Sequence, residues 1–397
     1  MEFAMNVISQ QEALDLLLAE ADCLAETETI ATEHALGRVL AKELVSPIDV
    51  PQFDNSAMDG FAIFAQAGSS LRIAQRIPAG AVPAPLETGT AARIFTGAQI
   101  PQGADSVVMQ ENCTFDDSIV TIEKMPKPGA NIRRRGEDIS AGSAFLEAGI
   151  KLRPQELGIA ASVGFASLEV YRKLKVAVFF TGDELVMPGN PLGRGQIYNS
   201  NRYSLIGLLN ALNCEIHDLG IVRDDLDATV AALEEARKHA DLVMTCGGVS
   251  VGEEDHVKNA VETIGKLSFW KVAVKPGKPF AFGDLSGIPF IGLPGNPVSA
   301  FLSFCLFARP FIMKKQGMKD VNPLALQAAA DFEWTGGKRA EWLRSRFANG
   351  MVKIHPDQGS ASISPLSWAE GLVEIPAGMN VSRGDRVDFF PFSGLFA

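Results

Sequence analysis

Residues 242–255 combine a short apolar run with glycines and acids, which are residue types that can bind a ligand. The run LVMTC is typical of a buried strand, and Gly247, Gly248 and Ser250 follow it, with three acids that end at Asp255. Paired glycines after a strand let the backbone approach a ligand closely, because no side chain stands in the way. The acids could hold a divalent cation or a substrate hydroxyl. The alternative is an ordinary tight turn followed by a solvated acidic helix start.

Three further apolar runs also end in polar, glycine or proline loops. Residues 175–180 lead into an acidic loop that contains Glu184, residues 270–279 end in a lysine-rich loop, and residues 292–299 read GLPGNPVS. In open α/β sheets, ligands bind beyond the carboxyl ends of the strands. Acids dominate two of the four loops and lysines a third. The set therefore predicts a site for a phosphate-bearing ligand, in which lysines meet the anion and carboxylates carry a bridging metal.

The lysine-rich loop offers three cations close together. Lys271 and Lys275 are predicted to lie on one face of a strand, since successive side chains point opposite ways, and Lys278 follows in a Pro-Gly-Lys loop. Lysines on an edge strand are commonly only solubilising. Three of them beside Pro-Gly at a strand end favour anion binding over that alternative.

The segment GLPGNPVS is predicted to be a rigid loop that opens a helix. Pro294 and Pro297 would hold the loop in a fixed curve, and Asn296 could cap the helix that follows. The positive N-terminal end of that helix would favour an anion.

The motifs TGDEL, TCGGVSVGEED, KPGKP and GLPGNPVS, in this order, resemble the molybdenum-cofactor-binding domain. Nearer the N-terminus the chain carries PQFDNSAMDG at residues 51–60 and GEDI at residues 136–139. The FDNSAMDG motif is very specific. With it, the chain resembles the MoeA-type molybdopterin molybdenumtransferase family, which is related to the enzymatic C-terminal part of gephyrin. The resemblance covers nearly the whole chain.

The resemblance implies a set of site residues. Asp59, Glu184 and Asp255 would be catalytic carboxylates that hold magnesium. Lys271 and Lys275 would be catalytic lysines that bind molybdate or the phosphates of the dinucleotide. The substrate-binding residues implied with them are Thr96, Arg133, Asp138, Asp224, Gly247, Gly248, Ser250, Lys278, Pro294, Asn296 and Pro297.

Four of these acids also have a structural alternative. Asp59 lies in a loop rich in Asn, Asp and Ser, which commonly forms Asx-turns and nothing more. Glu184 could cap the next helix, and Asp224 could be a turn or cap residue. Asp138 could pair with the basic run at residues 133–135.

The reaction implied by the resemblance is the insertion of molybdate into adenylylated molybdopterin, with magnesium as cofactor and with release of AMP. The implied partners are these two substrates, a second copy of the chain in a homodimer, and other molybdenum-cofactor biosynthesis proteins.

One alternative is another enzyme on the same central domain, such as the molybdopterin adenylyltransferase or the related domain of competence-damage-type proteins. The Asp59 motif and the additional terminal domains argue against it. The other alternative is a non-enzymatic scaffold, against which the complete set of site carboxylates and lysines argues.

Composition narrows the class of protein. The chain has 47 acidic and 36 basic residues and a formal net charge of -11, which argues against binding to nucleic acid or to an anionic membrane. Its five cysteines and five histidines lack zinc-site spacing, and the cysteine pattern favours a reducing compartment. The N-terminus lacks a secretory-signal pattern, and the apolar stretch 301–313 falls short of the ~20 residues of a membrane span. The sequence therefore predicts a cytoplasmic protein.

The organisation of the chain predicts a multidomain α/β protein. Alternating strands and helices over residues 173–318 indicate a central, mostly parallel α/β domain, the molybdenum-cofactor-binding domain by resemblance. Short apolar segments between Pro and Gly turns at residues 51–139 indicate an inserted β-rich domain. Residues 1–50 and 140–172 would together form a discontinuous helical linker domain. Residues 319–397 would form a small C-terminal β-barrel.

Local signals predict several individual elements. A capping box that begins at Ser9 indicates a helix, and a second helix is expected over residues 33–41. Asn349-Gly350 indicates a hairpin in the C-terminal barrel. Three arginines on the first strand of this hairpin are expected to form a solvated face: Arg339, Arg344 and Arg346.

Overall fold

The structure, a computed structural model, describes residues 7–249 and 256–396, so the predicted site residues Ser250 and Asp255 lie outside the described residues. The α-helices are α1 Gln10–Ala19, α2 Pro154–Ser162, α3 Ser200–Ala211, α4 Leu226–Ala236, α5 His256–Ile264, α6 Pro297–Ser303, α7 Arg309–Lys315, α8 Ser364–Trp368 and α9 Phe392–Phe396. The strands are β1 Thr27–Ala31, β2 Leu44–Val45, β3 Asn55–Ser56, β4 Gly60–Ile63, β5 Ser70–Ile77, β6 Thr90–Ile94, β7 Ser106–Met109, β8 Cys113–Phe115, β9 Ile119–Ile122, β10 Ile132–Arg133, β11 Ala144–Leu146, β12 Ser167–Tyr171, β13 Lys175–Thr181, β14 Leu185–Val186, β15 Ile197–Tyr198, β16 Glu215–Val222, β17 Leu242–Cys246, β18 Lys266–Lys271, β19 Val274–Lys275, β20 Pro279–Asp284, β21 Pro289–Leu293, β22 Leu326–Ala330, β23 Ala340–Ala348, β24 Met351–Ile354, β25 Gly371–Ile375 and β26 Arg386–Pro391.

The central domain is built on one six-stranded sheet in the order β16-β13-β17-β21-β20-β18. The first four strands are parallel, β20 runs antiparallel to them, and β18, which is antiparallel to β20, runs in their direction again. Strand β13 is buried on both sides, since Val178 and Phe180 belong to one apolar core and Ala177 and Phe179 to the core on the opposite face. This continuous apolar run is what a parallel sheet covered by helices requires. The predicted mostly parallel α/β domain is confirmed.

One long apolar helix passes through the core. Helices α6 and α7 are joined by a π-helical turn at Phe304–Ala308 and form a continuous helix, Pro297–Lys315. It is longer than the apolar stretch counted from the sequence, and by length and composition alone it could cross a membrane. However, 83% of its most apolar window is buried inside the fold. Its apolar character is therefore that of a core helix.

The N-terminal segment and the segment after residue 140 share small antiparallel sheets. Strand β1 pairs with β12 and β2 with β11, and their apolar side chains form one core that includes Leu40 and Leu152. The helix predicted over residues 33–41 is wrong, because only a short 3-10 turn, Thr32–His34, forms there. Gly37 has φ +74°, and Val39 and Leu40 pair with extended segments. Tertiary strand pairing thus overrides the local helical pattern.

Helix α1 begins where the capping box predicts. The Ser9 hydroxyl accepts a hydrogen bond from the amide of Glu12 at 3.1 Å. Its buried residues Ala13 and Leu17 pack into the core of the central sheet.

The inserted region is a six-stranded sheet in the order β7-β4-β6-β5-β9-β8. Strand β4 is buried on both faces, with Phe61 and Ile63 in one apolar cluster and Ala62 in the other. A separate strand pair, β3 with β10, joins the FDNSAMDG motif to the segment that contains Arg133. The expected β-rich character of this region is confirmed.

The C-terminal region is a closed five-strand barrel in which β23 pairs with both β24 and β25. The hairpin predicted at Asn349-Gly350 is present, and both residues have the positive φ that such a turn requires, 55° and 78°. Strand β19 of the lysine-rich loop pairs in parallel with β23 and so joins the barrel at its edge. Arg344 is wholly buried, so the solvated face expected for the three arginines is wrong at this position.

Candidate active site

A cavity of about 520 Å³ lies beyond the carboxyl ends of strands β13, β17 and β21. Carboxyl ends of parallel strands meet at one edge of a sheet, so the loops that follow these strands converge there. Seven of the predicted site residues line this cavity: Glu184, Asp224, Gly247, Gly248, Pro294, Asn296 and Pro297.

The two glycines after β17 make a turn that admits no other residue without strain. Gly247 has φ +98° and Gly248 has φ +65°. A Cβ on Gly247 would lie 2.3 Å from the backbone oxygen of Thr181, and one on Gly248 would lie 2.5 Å from Cγ2 of Val257. The glycines therefore let the loops after β13 and β17 pack closely at the edge of the cavity.

Two carboxylates line the cavity without capping a helix. Asn199 caps α3 and Asp225 caps α4, so the capping alternative is wrong for Glu184 and for Asp224. The side chain of Asp224 instead accepts a hydrogen bond from the hydroxyl of Thr181 at 3.1 Å. Glu184 is exposed.

The loop that contains Pro294 is held by hydrogen bonds from two side chains to its backbone carbonyls. The side-chain amide of Asn201 donates to the carbonyl of Gly295 at 2.7 Å, and the thiol of Cys246 donates to the carbonyl of Pro294 at 3.1 Å. Burial raises the pKa of the Cys246 thiol to about 12, so this thiol stays protonated and acts as a donor. Asn296 occupies the position before α6, but its side chain makes no capping hydrogen bond. The predicted cap is therefore wrong at Asn296, which is exposed beside the cavity.

The three predicted lysines do not share one strand. Lys271 ends β18 of the central sheet, whereas Lys275 belongs to β19, which pairs with the barrel. The predicted single face is thus wrong, because the chain leaves one sheet and joins another between them. Lys275 binds Glu341 at 3.2 Å, and Lys278 is exposed. None of the three lines the cavity, but the next residue, Pro279, does.

A second group of predicted residues lies in the inserted region. One oxygen of Asp59 accepts hydrogen bonds from both the amide and the hydroxyl of Thr96, each at 2.8 Å. These two bonds hold the pKa of the Asp59 carboxyl below its ordinary value, and the bond from the Thr96 amide has the larger effect. The pairing of β3 with β10 puts Arg133 opposite Asn55 and so brings the FDNSAMDG motif beside the segment that precedes GEDI.

The basic run beside Arg133 is held by an acid that was not predicted. Asp54 accepts from the guanidinium of Arg134 at 2.6 Å and from the amide of Arg135 at 2.8 Å. Asp138 donates its amide to the carbonyl of Val50, and among the described residues its side chain forms no ion pair with the run. The pairing expected for Asp138 is therefore wrong, and its carboxylate is exposed.

Within the described part of one chain, the two groups of residues are not joined. No residue of 51–139 is among the described residues that line the central cavity. Among the residues that the structure describes, no three His, Cys, Asp or Glu side chains are arranged to hold a metal ion. Of the three predicted magnesium ligands, Asp59 and Glu184 fall in different groups, and Asp255 is outside the described residues.

The donor set of the cavity is nevertheless suited to magnesium. Proteins commonly hold Mg²⁺ through one or two carboxylates, with waters and substrate phosphates in the remaining positions. Glu184 and Asp224 offer two carboxylates at the same cavity. The residues present therefore fit a magnesium ion that arrives with a phosphate-bearing substrate.

Arg344 is a candidate site residue that was not predicted. Its guanidinium is buried and donates to the carbonyls of Asp357 and Gly359 at 3.1 and 3.0 Å. Its Nε and Nη1 atoms have no hydrogen-bond partner within the described chain. The segment that Arg344 holds reaches the site, since Ala361 lines the cavity. Arg344 itself does not line the cavity, so its contribution to the site is to hold this segment in place.

The sequence did carry a signal for Arg344. It lies two residues after Trp342, and side chains at i and i+2 of a strand share a face. Trp342 is an obvious core residue, so the period of the strand places Arg344 inward. The charge of the arginines alone favours a solvated face, and the position of Trp342 decides against it at Arg344.

Three family models match successive parts of the chain. The MoeA N-terminal region (domain I and II) matches residues 8–164, a probable molybdopterin binding domain matches residues 177–314, and the MoeA C-terminal region (domain IV) matches residues 327–392. The fold is thus that of the multidomain MoeA proteins, with a probable molybdopterin binding domain at its centre.

Relatives extend over the whole chain. The molybdopterin molybdenumtransferase of Haemophilus influenzae is 45% identical and covers 98% of this chain and 100% of its own length, and that of Nostoc sp. is 36% identical with 94% and 90% covered. The crystal structure of the molybdopterin biosynthesis MoeA protein from Pyrococcus horikoshii OT3 matches with a TM-score of 0.85 and 29% identity, over 97% of this chain and 100% of that one. The chain belongs to the molybdopterin molybdenumtransferase family. It is a transferase of molybdenum cofactor biosynthesis.

Proposed function

We propose that this transferase inserts molybdate into adenylylated molybdopterin and releases AMP in the same reaction. The observation that carries the proposal is the cavity of about 520 Å³ at the sheet edge, where carboxylates, a tight glycine turn and the Pro294–Pro297 loop converge. The phosphoanhydride between AMP and the molybdopterin phosphate breaks, and water supplies the oxygen that completes the two phosphates. Molybdenum forms bonds to the two dithiolene sulfurs, and one molybdate oxygen leaves as water with the two thiol protons.

The anionic parts of both substrates need cations in an otherwise acidic chain. Lys271, Lys275 and Lys278 lie in consecutive segments that border the cavity at Pro279. Their ammonium groups would offset the charge of the pyrophosphate and of molybdate.

The catalytic carboxylates would hold magnesium. Asp59, Glu184 and Asp255 are the proposed ligands, and Asp224 adds a carboxylate on the same cavity. When bound, the ion would polarise the phosphoanhydride and offset the charge that develops on the leaving phosphate. Thr96 would keep Asp59 ionised and oriented, since the hydroxyl and the backbone amide of Thr96 donate to the same oxygen of Asp59.

The site is proposed to be shared between two protomers of a homodimer. Support comes from the separation of the two groups of residues, because the cavity of one chain contains no described residue from 51–139. The Asp59 group of the partner would complete the site of the central domain. The other proposed contacts are with proteins of the same biosynthesis, and the proposed location is the cytoplasm.

The test is incubation of the purified protein with adenylylated molybdopterin, molybdate and magnesium, followed by chromatographic measurement of AMP. AMP should appear only when molybdate and magnesium are both present. Reactions without molybdate, and with sulfate in its place, are the controls. If free molybdopterin is adenylylated by ATP while no AMP is released from the adenylylated form, the adenylyltransferase function replaces the proposed one.

A further inference from the structure

A buried carboxylate of the C-terminal barrel binds one of the site lysines. The ammonium nitrogen of Lys275 lies 3.2 Å from Oε2 of Glu341. The lysine side chain is 51% exposed, whereas the glutamate side chain is only 4% exposed. The pair thus has a fixed, buried acceptor and a cation whose remaining surface faces outward.

The carboxylate of Glu341 is held at both oxygens. The indole N–H of Trp334 donates to Oε2 at 3.1 Å, and the amide of Gly337 donates to Oε1 at 3.1 Å. A Cβ at position 337 would lie 2.5 Å from Oε1, so glycine allows the carboxylate to reach this amide. With both oxygens occupied, the carboxylate cannot rotate away from the lysine.

The backbones of the two segments are joined as well. Strand β19 pairs in parallel with β23, and Lys275 stands opposite Glu341 in this pairing. The guanidinium of Arg339 also donates to the carbonyl of Val274 at 3.0 Å. The barrel therefore fixes both the backbone and the head group of this lysine.

We propose that Glu341 is a positioning residue that holds the Lys275 ammonium for a tetrahedral oxyanion, an inference that rests on the proposed function. A lysine has three N–H donors on a flexible stem, and freezing that stem costs conformational entropy. Glu341 takes one donor and removes most of this freedom before the ligand arrives. Two N–H donors of Lys275 remain, and the barrel, rather than the lysine-rich loop, sets their direction.

A rival role for the same contact is a latch that only fastens the barrel to the loop. The two roles predict different effects of Glu341 on anion affinity when Lys275 is absent. A latch stabilises the fold whether or not an anion binds. A positioning carboxylate acts through Lys275, so its removal should change anion affinity only while that lysine is present.

The test compares Glu341→Gln, Lys275→Ala and the double variant in calorimetric titrations with sodium molybdate and in AMP-release kinetics. Glutamine removes the negative charge. If its oxygen takes the place of Oε2, it still accepts from Trp334 but meets the Lys275 ammonium only as a neutral acceptor, and its N–H₂ group faces the amide of Gly337, which is also a donor. We expect Glu341→Gln to weaken molybdate binding and to raise its KM about tenfold, the usual effect of losing a hydrogen bond to a charged group, with kcat changed less than about twofold. In the Lys275→Ala background the same change should have no further effect on molybdate affinity.

Two further variants give the comparison its controls. Asp331→Asn removes a barrel carboxylate that pairs with Lys353 and Arg383 at 3.3 and 3.0 Å, and it should leave molybdate affinity unchanged. Trp334→Phe releases one oxygen of Glu341 but keeps its charge, so it should weaken binding about two- to threefold even if Glu341→Gln folds poorly.

Unchanged molybdate affinity in both Glu341→Gln and Trp334→Phe would overturn the proposal. So would an equal loss in the presence and absence of Lys275, which is the behaviour of a latch. A wild-type protein that binds molybdate but releases no AMP would refute the proposed function and leave the positioning measurement readable. A wild-type protein that binds no molybdate would overturn both.

Discussion

Asp59 shows how a short loop can prepare a single carboxylate for chemistry. Both donors of Thr96 meet one of its oxygens, which leaves the second oxygen free for a ligand. Hydrogen bonds to the ionised form lower a carboxyl pKa, and the direction found here follows from that rule. The loop therefore supplies a carboxylate that is both charged and oriented.

Thr96→Val should move the acid limb of the pH–activity profile to higher pH. The folded pKa of Asp59 is lowered, so its ionised form, and the activity that needs it, is lost only as pH falls through that lowered value. Valine removes the hydroxyl donor, and the pKa of Asp59 rises. Activity measured across the acidic range checks this expectation. Thr96→Ser, which restores the hydroxyl, should return the limb to its wild-type position, and an unshifted limb in Thr96→Val would contradict the role given to the hydroxyl.

Glu184→Gln should abolish turnover and leave the fold intact. Glu184 is exposed at the cavity, so its replacement should change the free energy of unfolding by no more than about 0.5 kcal/mol. The loss of charge should lower activity by at least about 100-fold, as expected when a metal site loses a carboxylate ligand. AMP release and thermal unfolding are the two measurements. Asp183→Asn is the matched control, since this exposed neighbour does not line the cavity, and equal activity in the two variants would remove Glu184 from the site.

At the scale of elements, the turn after β17 is determined by sterics. Gly247 and Gly189 have nearly the same φ, +98° and +100°, but only Gly247 has a backbone atom where a Cβ would stand. The two positions therefore separate the cost of positive φ from the cost of a clash.

Gly189→Ala should lower the free energy of unfolding by about 1–2 kcal/mol, the conformational cost alone. Gly247→Ala should lower it by about 3 kcal/mol or more, because its Cβ would also meet the Thr181 oxygen at 2.3 Å. Chemical denaturation of both variants measures the difference. Equal destabilisation would mean that the loops after β13 and β17 can separate at little cost.

Elements with strong local signals were the ones predictable from the sequence. The Ser9 cap and the hairpin at Asn349-Gly350 depend on interactions within a few residues, and the buried strands of the central sheet are marked by continuous apolar runs. The helix expected over residues 33–41 failed because pairing with distant extended segments decided its conformation. The shared face of Lys271 and Lys275 failed for a similar reason, since β19 leaves the central sheet to pair with the barrel.

The candidate site was predictable as a set of loops but not as an arrangement. Convergence of the loops follows from the parallel sheet, and seven predicted residues do meet at the cavity. The partners of individual side chains do not follow from local sequence. Asp54 rather than Asp138 holds the basic run, and Arg344 is buried on the strand face that it shares with Trp342, opposite the face that carries Leu343 into the barrel core.

At the scale of the whole molecule, a shared site predicts complementation between inactive variants. Asp59→Asn and Asp255→Asn should each be inactive alone. If Asp59 and Asp255 of one site come from different protomers, a mixed dimer holds one doubly altered site and one intact site. Co-expression with two different tags and purification of the mixed species should recover about half of wild-type activity by this symmetry. A mixed dimer without activity, with dimerisation confirmed, would place both residues in one chain's site or remove one of them from catalysis.

The pairing of β19 with β23 also limits how such proteins can diverge. A recombination event that joined the central region of one homologue to the barrel of another would cut through the Lys275–Glu341 contact, although residues 275 and 341 are far apart in the chain. The central domain and the barrel are therefore expected to be inherited together, because the contact between β19 and β23 needs residues from both. Across descendants, we expect the residues at these two positions to change together or not at all.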